Sequence, residues 1–277
     1  MTNPLQTKAM LAQLSISQWT GRKADKKVTT EVEQKHGAHD AGKFNKVLVD
    51  KALLEPISKL SGKARDYHYH MTLAWSDSGP RILPSALFAE YTQTMRGFKA
   101  EFEKLVDTLV RAYPIEVQAA RNRLGTMYEP GDYPDPADMY SKFAIKTEFM
   151  PVPDGDDFRV AVSEDDRAEL SRSVREGVQA RLSSAVTATY SRIREVVSKI
   201  EERLSVPDAI FKDSLITNAL ELTQVLNGLN ITDDQVITDI CQDIKNYLLM
   251  PPSMLRNSPA TRATTAAHAG RILQKLP

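Results

Sequence analysis

The sequence predicts a predominantly α fold with a small antiparallel β-sheet, an α+β arrangement in which long helices form an elongated antiparallel coiled-coil or bundle arm. Three observations predict it. From Phe88 the apolar residues Tyr91, Met95, Phe98, Phe102, Leu105 and Leu109 follow at alternating gaps of three and four, a heptad seam. A second stripe steps in fours through Leu170, Val174, Val178, Leu182 and Val186. It then turns heptad-like through Tyr190, Ile193, Val197, Ile200 and Leu204. Between the two, residues 144–152 and 158–162 alternate in period two around the polar turn PDGDD, the pattern of a β-hairpin.

The N-terminal segment, residues 1–83, starts with alternation over residues 13–19, which predicts a short half-buried strand ending at Gly21. From Asp25 to about Lys63 apolar residues recur at three and four, including Phe44, Val47, Leu54, Ile57 and Leu60, so a helix interrupted at Pro56 is expected. The run YHYHMTLAW reads as a second extended piece, and SDSGPRILP, residues 76–84, as a loop.

The arm, residues 84–205, begins with the seam helix, which should stop or kink at Pro114. After Gly125, Asp135 is placed to cap a brief helix with Pro136 at its first position. The hairpin, residues 144–162, is inserted next. Ser163 then caps a helix whose first turn holds Glu164, Asp165 and Asp166, where carboxylates meet the positive end of the helix dipole. Nothing interrupts that helix before about Ser205, a length of roughly 60 Å at 1.5 Å per residue. Residues 206–250 read as two amphipathic helices split near Asn227-Gly228, with Thr232-Asp233-Asp234 opening the second, and residues 251–277 as a basic tail.

Composition narrows function. With 277 residues and 42% hydrophobic content the chain can bury a large core or two modest ones. A net charge of +0 supplies no global field toward nucleic acid or membrane. The charge is nevertheless segregated. Residues 1–75 hold 12 basic and 7 acidic side chains, 126–170 hold 4 and 12, and 251–277 hold 4 and 0. The single cysteine, Cys241, excludes an intramolecular disulfide and a multi-thiolate metal site. No run reaches the roughly 20 apolar residues of a membrane span, so a cytoplasmic protein without membrane contact is expected.

The stretch QWTGRKADKK concentrates the candidate binding chemistry. A P-loop needs several glycine amides to wrap phosphates, and TGRK has one glycine. Trp19, Arg22, Lys23, Lys26 and Lys27 instead form the candidate nucleic-acid-binding set: cations for phosphates, an indole for stacking on a base. Cations at a helix start also oppose the helix dipole unless an anion compensates. Arg256, Arg262, Arg271 and Lys275 are possible helpers.

Other constellations are incomplete. His68 and His70 would share a face on a strand, but no third ligand stands at metal spacing. Asp132, Asp135 and Asp138, and Asp154, Asp156 and Asp157, lack the glutamate of a calcium loop; turn chemistry and capping explain most of them. GxSxG, HExxH and cysteine-histidine pairs are absent from the sequence. No catalytic residue, metal or cofactor is expected.

The segments LSISQWTGRK, HMTLAWSDSGPRILP, DYPDPADMYSKF and PVPDGDDFRV, in this order, resemble an uncharacterised family spread through phages and proteobacteria. The resemblance covers the first two thirds of the chain. It implies a phage or prophage setting. Because some members lie near a MoxR-type AAA+ ATPase and a von Willebrand factor A-like protein, it also implies a client or adaptor role.

The expectation is therefore a non-catalytic, homo-oligomeric phage-type protein that binds nucleic acid, single-stranded in particular, or assists its processing. The alternative is an adaptor or inhibitor docking a protein partner, such as an AAA+ motor or a host defence factor. A hydrolase built on the aspartate loops ranks third.

Overall fold

A computed structural model describes residues 4–155 and 163–277. The chain is predominantly α-helical with a small antiparallel sheet and long helices. Its elements are α1 (Pro4–Lys8), β1 (Ala9–Ser17), β2 (Arg22–Ala24), α2 (Lys26–His36), β3 (Asn45–Val47), α3 (Lys51–Met71), β4 (Leu73–Ala74) and β5 (Arg81–Pro84). They continue with α4 (Phe88–Leu124), four short 3₁₀ turns, β6 (Ala144–Met150), α5 (Glu164–Ser205), α6 (Ser214–Leu229), α7 (Gln235–Tyr247), α8 (Pro252–Asn257) and α9 (Pro259–Gln274). A four-stranded sheet has the order β4-β5-β1-β6, and β2 and β3 form a separate two-stranded ribbon. The second strand expected for the hairpin, with Asp156 and Asp157, lies outside the described residues.

The chain divides into two compact units, each assembled from separated stretches, where the sequence had suggested consecutive segments. Unit 1 comprises Met1–Gln13, His68–Thr92 and Glu148–Pro277; unit 2 comprises Leu14–Tyr67 and Gln93–Thr147.

In unit 1 the Ser163 hydroxyl caps α5 by accepting from the Asp166 amide, and the helix runs 42 residues. The heptad-like part of its stripe is buried: Ile193, Val197 and Ile200 are fully covered, in one core with Ala219, Leu222 and Leu226 of α6, Ile240 and Ile244 of α7, and Ala269 and Ile272 of α9. That part of the stripe is thus filled within a bundle of the chain's own C-terminal helices. Asp234, the last residue of the expected start Thr232-Asp233-Asp234, caps α7 by accepting from the Val236 amide.

Residues 251–277 are not a tail. Pro252 and Pro259 stand in the first turns of α8 and α9, where a missing amide costs nothing, and the Ser258 side chain caps α9. Leu255 and Ala269 are fully buried and Ile272 nearly so. Arg262, 8% exposed, donates through Nε to the carbonyl of Leu204 (3.3 Å) and through Nη2 to those of Arg203 (2.7 Å), Val206 (2.9 Å) and Ala209 (2.8 Å). It supplies the donors that the C-terminal end of α5 lacks.

A second arginine closes the end of α3 in the same way. Arg192 donates to the carbonyls of Tyr69 (2.9 Å), His70 (3.0 Å) and Thr72 (2.5 Å). Burial, helped by Arg81, lowers its pKa to about 10. The expected extended run YHYHMTLAW is therefore mostly helix, with only Leu73–Ala74 in β4. Likewise SDSGPRILP is only partly a loop. Ile82 and Leu83 are fully buried in β5, which pairs antiparallel with β1 (Ala9↔Pro84 to Ala12↔Arg81) and with β4.

In unit 2 the seam of α4 is as expected through Met95, Phe102 and Leu109, with Val106 buried in place of Leu105. The helix continues through the exposed Pro114, because Tyr113 and Ala120 are buried on either side of it and packing outweighs one lost hydrogen bond. Pro56 is carried inside α3 in the same manner. The long helix expected from Asp25 is instead two helices separated by β3. Gly37 terminates α2 in a left-handed conformation (φ 59°), its amide and that of Ala38 returning to the carbonyls of Gln34 and Glu33. Asp135 caps a 3₁₀ turn that has Pro136 at its start, as expected.

Candidate nucleic-acid interface

Unit 2 presents the basic cluster on a β2–α2–β3 corner. Arg22 pairs with Val47, Lys23 with Lys46 and Ala24 with Asn45 in antiparallel register. The ladder is extended at both ends, by the Leu48 amide donating to the Gly21 carbonyl (2.8 Å) and the Asp25 amide to that of Phe44 (2.9 Å).

Gly21 has a reason unrelated to phosphate. Its φ is 63°, and a Cβ there would stand 2.7 Å from Leu54 Cδ1 and 2.9 Å from Val49 Cγ2. Only glycine lets the ribbon root approach α3 this closely.

The anion that a cationic helix start calls for is supplied by the chain itself. Asp25 is the N-cap of α2, its Oδ1 accepting from the Val28 amide at 3.2 Å. Its other oxygen meets Lys46 Nζ at 3.1 Å, and Lys46 Nζ meets Asp132 Oδ2 at 2.5 Å and donates to the Met127 carbonyl at 3.2 Å. All three side chains are at least nine-tenths buried. The Val28 amide and Lys46 hold the Asp25 carboxyl below its ordinary pKa against the opposing effect of burial. Asp132, with Asp25, raises the Lys46 pKa, again against burial. Two of the three aspartates of the 126–138 segment thereby have structural work: Asp132 closes this triad and Asp135 caps a turn.

The candidate residues distribute unequally. Arg22 and Lys23 on β2, and Lys26 and Lys27 in the first turn of α2, are all exposed. Lys27 Nζ lies 3.4 Å from Glu129 Oε1, a pair open to solvent. Trp19 is half-buried, edge-on to Tyr113 with centroids 5.8 Å apart, so part of its indole serves packing. Arg123, which sequence spacing could not connect to this corner, donates to the Val47 carbonyl at 2.8 Å, and Val47 is the register partner of Arg22. The signal that could have found it is its place among the last-turn cations of α4, which are free to leave the helix for a neighbouring carbonyl.

The helper cations belong to unit 1 and have their own partners. Arg262 is buried against carbonyls, Arg256 pairs with Asp213, Lys275 Nζ lies 2.5 Å from Asp243, and Arg271 donates to the Ala267 carbonyl of its own helix. His68 and His70 stand on the end of α3, where a spacing of two sends side chains to different faces. Buried His68 shares a 2.7 Å hydrogen bond with the Tyr91 hydroxyl. Desolvation, with Arg81 nearby, lowers its pKa to about 4. Among the described residues no group of three or more His, Cys, Asp or Glu could hold a metal, and no helix is long and apolar enough to cross a membrane. The corner offers exposed cations and an aromatic edge on a firm base, which is the chemistry of anion binding. Compared with known protein families, curated proteins and solved structures, the chain matches none.

Proposed function

We propose that the protein is a non-catalytic, self-associating protein of phage type that binds nucleic acid or assists its processing, in the host cytoplasm, through the β2–α2–β3 corner. One observation carries this reading: Arg22, Lys23, Lys26 and Lys27 are all exposed, while the nearest acid in sequence, Asp25, is buried against Lys46. Their charge is available to phosphates. Phe44, 39% exposed at the end of the ribbon, and the open part of Trp19 add π faces of the kind that stack on unpaired bases.

Anisotropy of labelled single- and double-stranded oligonucleotides across a salt series tests it. Each phosphate contact contributes a salt slope of about −0.7 on single strands and −0.9 on duplex. Replacing Arg22, Lys23, Lys26 and Lys27 by glutamine is expected to flatten the slope by about three. Absence of binding at low salt would sink the reading.

A second reading has its own support. Val32 and Val47, 49% and 38% exposed, place apolar side chains among the cations. That mixture suits an acidic protein partner, such as an AAA+ motor or a host defence factor, with this protein as adaptor or inhibitor. A salt-sensitive pull-down by neighbouring gene products, with no oligonucleotide binding, is its expected signature.

A further inference from the structure

Unit 1 holds a pocket of about 690 Å³ at the C-terminal end of α5, lined by Leu204, Leu255 and Ala263, with Glu201, Asp208, Arg256 and Arg262 as its charged groups. Beside it, the turn after α5 displays Ile210 at 93% exposure, the most exposed large hydrophobic side chain among the described residues, and Val206 at 54%.

The display is held in place. Arg262 binds the carbonyls of Val206 and Ala209, and the Ala209 amide returns to the Val206 carbonyl. Asp208 takes the left-handed conformation (φ 61°), which aspartate tolerates better than most residues. Phe211 is 8% exposed, with the Arg256 guanidinium 5.0 Å from its ring centroid and donating to its carbonyl. Ile210 is thus fixed between two anchored neighbours while its own side chain stays in water. Loop ordering, which ordinarily opposes binding, is already complete.

We propose that Ile210 is the knob, and the pocket the hole, of a two-fold contact between two copies of this chain. Knob and hole lie side by side on one patch and share the turn that carries Asp208. That is what an isologous interface requires, since each copy must present both halves of the contact. Charge agrees with it. The two arginines of the hole are already engaged, Arg256 by Asp213 and Arg262 by main-chain carbonyls, which leaves its acids, half-buried Glu201 among them. Exposed Lys212 follows the knob, and the two-fold brings Lys212 of one copy toward Glu201 of the other. With a net charge of +0, two copies meet without global repulsion. The inference rests on the self-association reading above and is independent of nucleic-acid binding.

Sedimentation of the full chain over a range of concentrations, without nucleic acid, tests it. A monomer–dimer equilibrium is expected. Ile210→Asp should weaken it about a hundredfold or more, because two isoleucine side chains leave each dimer. Ala263→Trp, which fills the hole from an exposed position, should weaken it comparably. Thermal melting of the monomeric Ile210→Asp chain should match that of wild type at concentrations where both are monomers, separating dissociation from unfolding. An assembly that neither substitution weakens overturns this contact and leaves self-association standing. A monomer at every concentration overturns both and gives the pocket to another occupant.

Discussion

The two units handle positive charge in opposite ways. In unit 1, Arg262 and Arg192 are drawn inside, and their counter-charges are main-chain carbonyls at the ends of α5 and α3. In unit 2, one cation, Lys46, is buried between two aspartates, and four others remain outside on a ribbon and a helix start. A count of cations therefore says little about binding, because what matters is where the nearest acceptors are. The basic C-terminal stretch resembles a nucleic-acid tail in composition and is a structural clamp. The N-terminal cations Arg22, Lys23, Lys26 and Lys27 stay exposed because the aspartate among them, Asp25, is engaged elsewhere.

Removing the clamp should have the largest effect. Arg262→Met preserves volume but strips donors from four carbonyls at the end of α5, at a cost of about 3 to 5 kcal/mol. Arg262→Lys should recover only part of it, since an ammonium cannot span the positions a planar guanidinium reaches. Trp75 lies in unit 1 and Trp19 in unit 2, so urea unfolding followed in two variants that each keep one tryptophan reads the units separately. The loss should fall on Trp75. An equal loss at Trp19 would mean that the clamp's effect is not confined to its own unit.

Lys46→Met is the corresponding cut in unit 2. It leaves two buried carboxylates without their counter-charge, which should cost about 3 kcal/mol. Combining it with Asp25→Asn and Asp132→Asn should return much of that, because the penalty is an uncompensated charge. The Trp19 signal is the one expected to move.

How much of this was legible follows from where the forces are local. The caps at Ser163, Asp135 and Asp234, and the stripe of α5 from Ile193 to Leu204, could be read directly because each depends on residues within one or two turns. The helices of residues 252–274 were missed because their alanines and threonines give a weak stripe, and Arg262 became intelligible only with carbonyls 53 to 59 residues away. The triad was hidden for the same reason. Asp25 and Lys46 are near in sequence, but Asp132 arrives from another segment. At the candidate site the four exposed cations could be named from sequence, and Arg123 could not.

Acid separates the units again, with a smaller effect. His68 has a folded pKa of about 4 against an ordinary 6.5, so the unfolded chain takes up its proton first. Its contribution is therefore complete above pH 6.5 and declines as pH falls toward 4. His70 is lowered in the same direction, by burial and then Arg192. The Asp25 carboxyl, held below its ordinary 3.8, keeps its contribution until the pH falls below that value. Between pH 6.5 and 4 unit 1 should weaken while the Asp25–Lys46 pair of unit 2 holds. His68→Gln, which retains a hydrogen-bonding side chain, should flatten the Trp75-detected decline without altering the Trp19 signal.

The smallest effect on stability is expected where the proposed effect on binding is largest. Glutamine at Arg22, Lys23, Lys26 and Lys27 removes no buried contact, and the one ion pair involved, Lys27 with Glu129, is exposed on both sides. Exposed pairs contribute little, and surface changes of this kind usually stay within about 0.5 kcal/mol. Losing two cations from the first turn of α2 should even favour the helix slightly, since the Asp25 cap then faces the helix dipole without neighbouring positive charge. A melting temperature that is unchanged or marginally higher, together with a flattened salt slope, would mark these residues as a surface kept for a partner. A clear loss of stability would show that the cations support the ribbon itself, and the contrast between the two units would collapse.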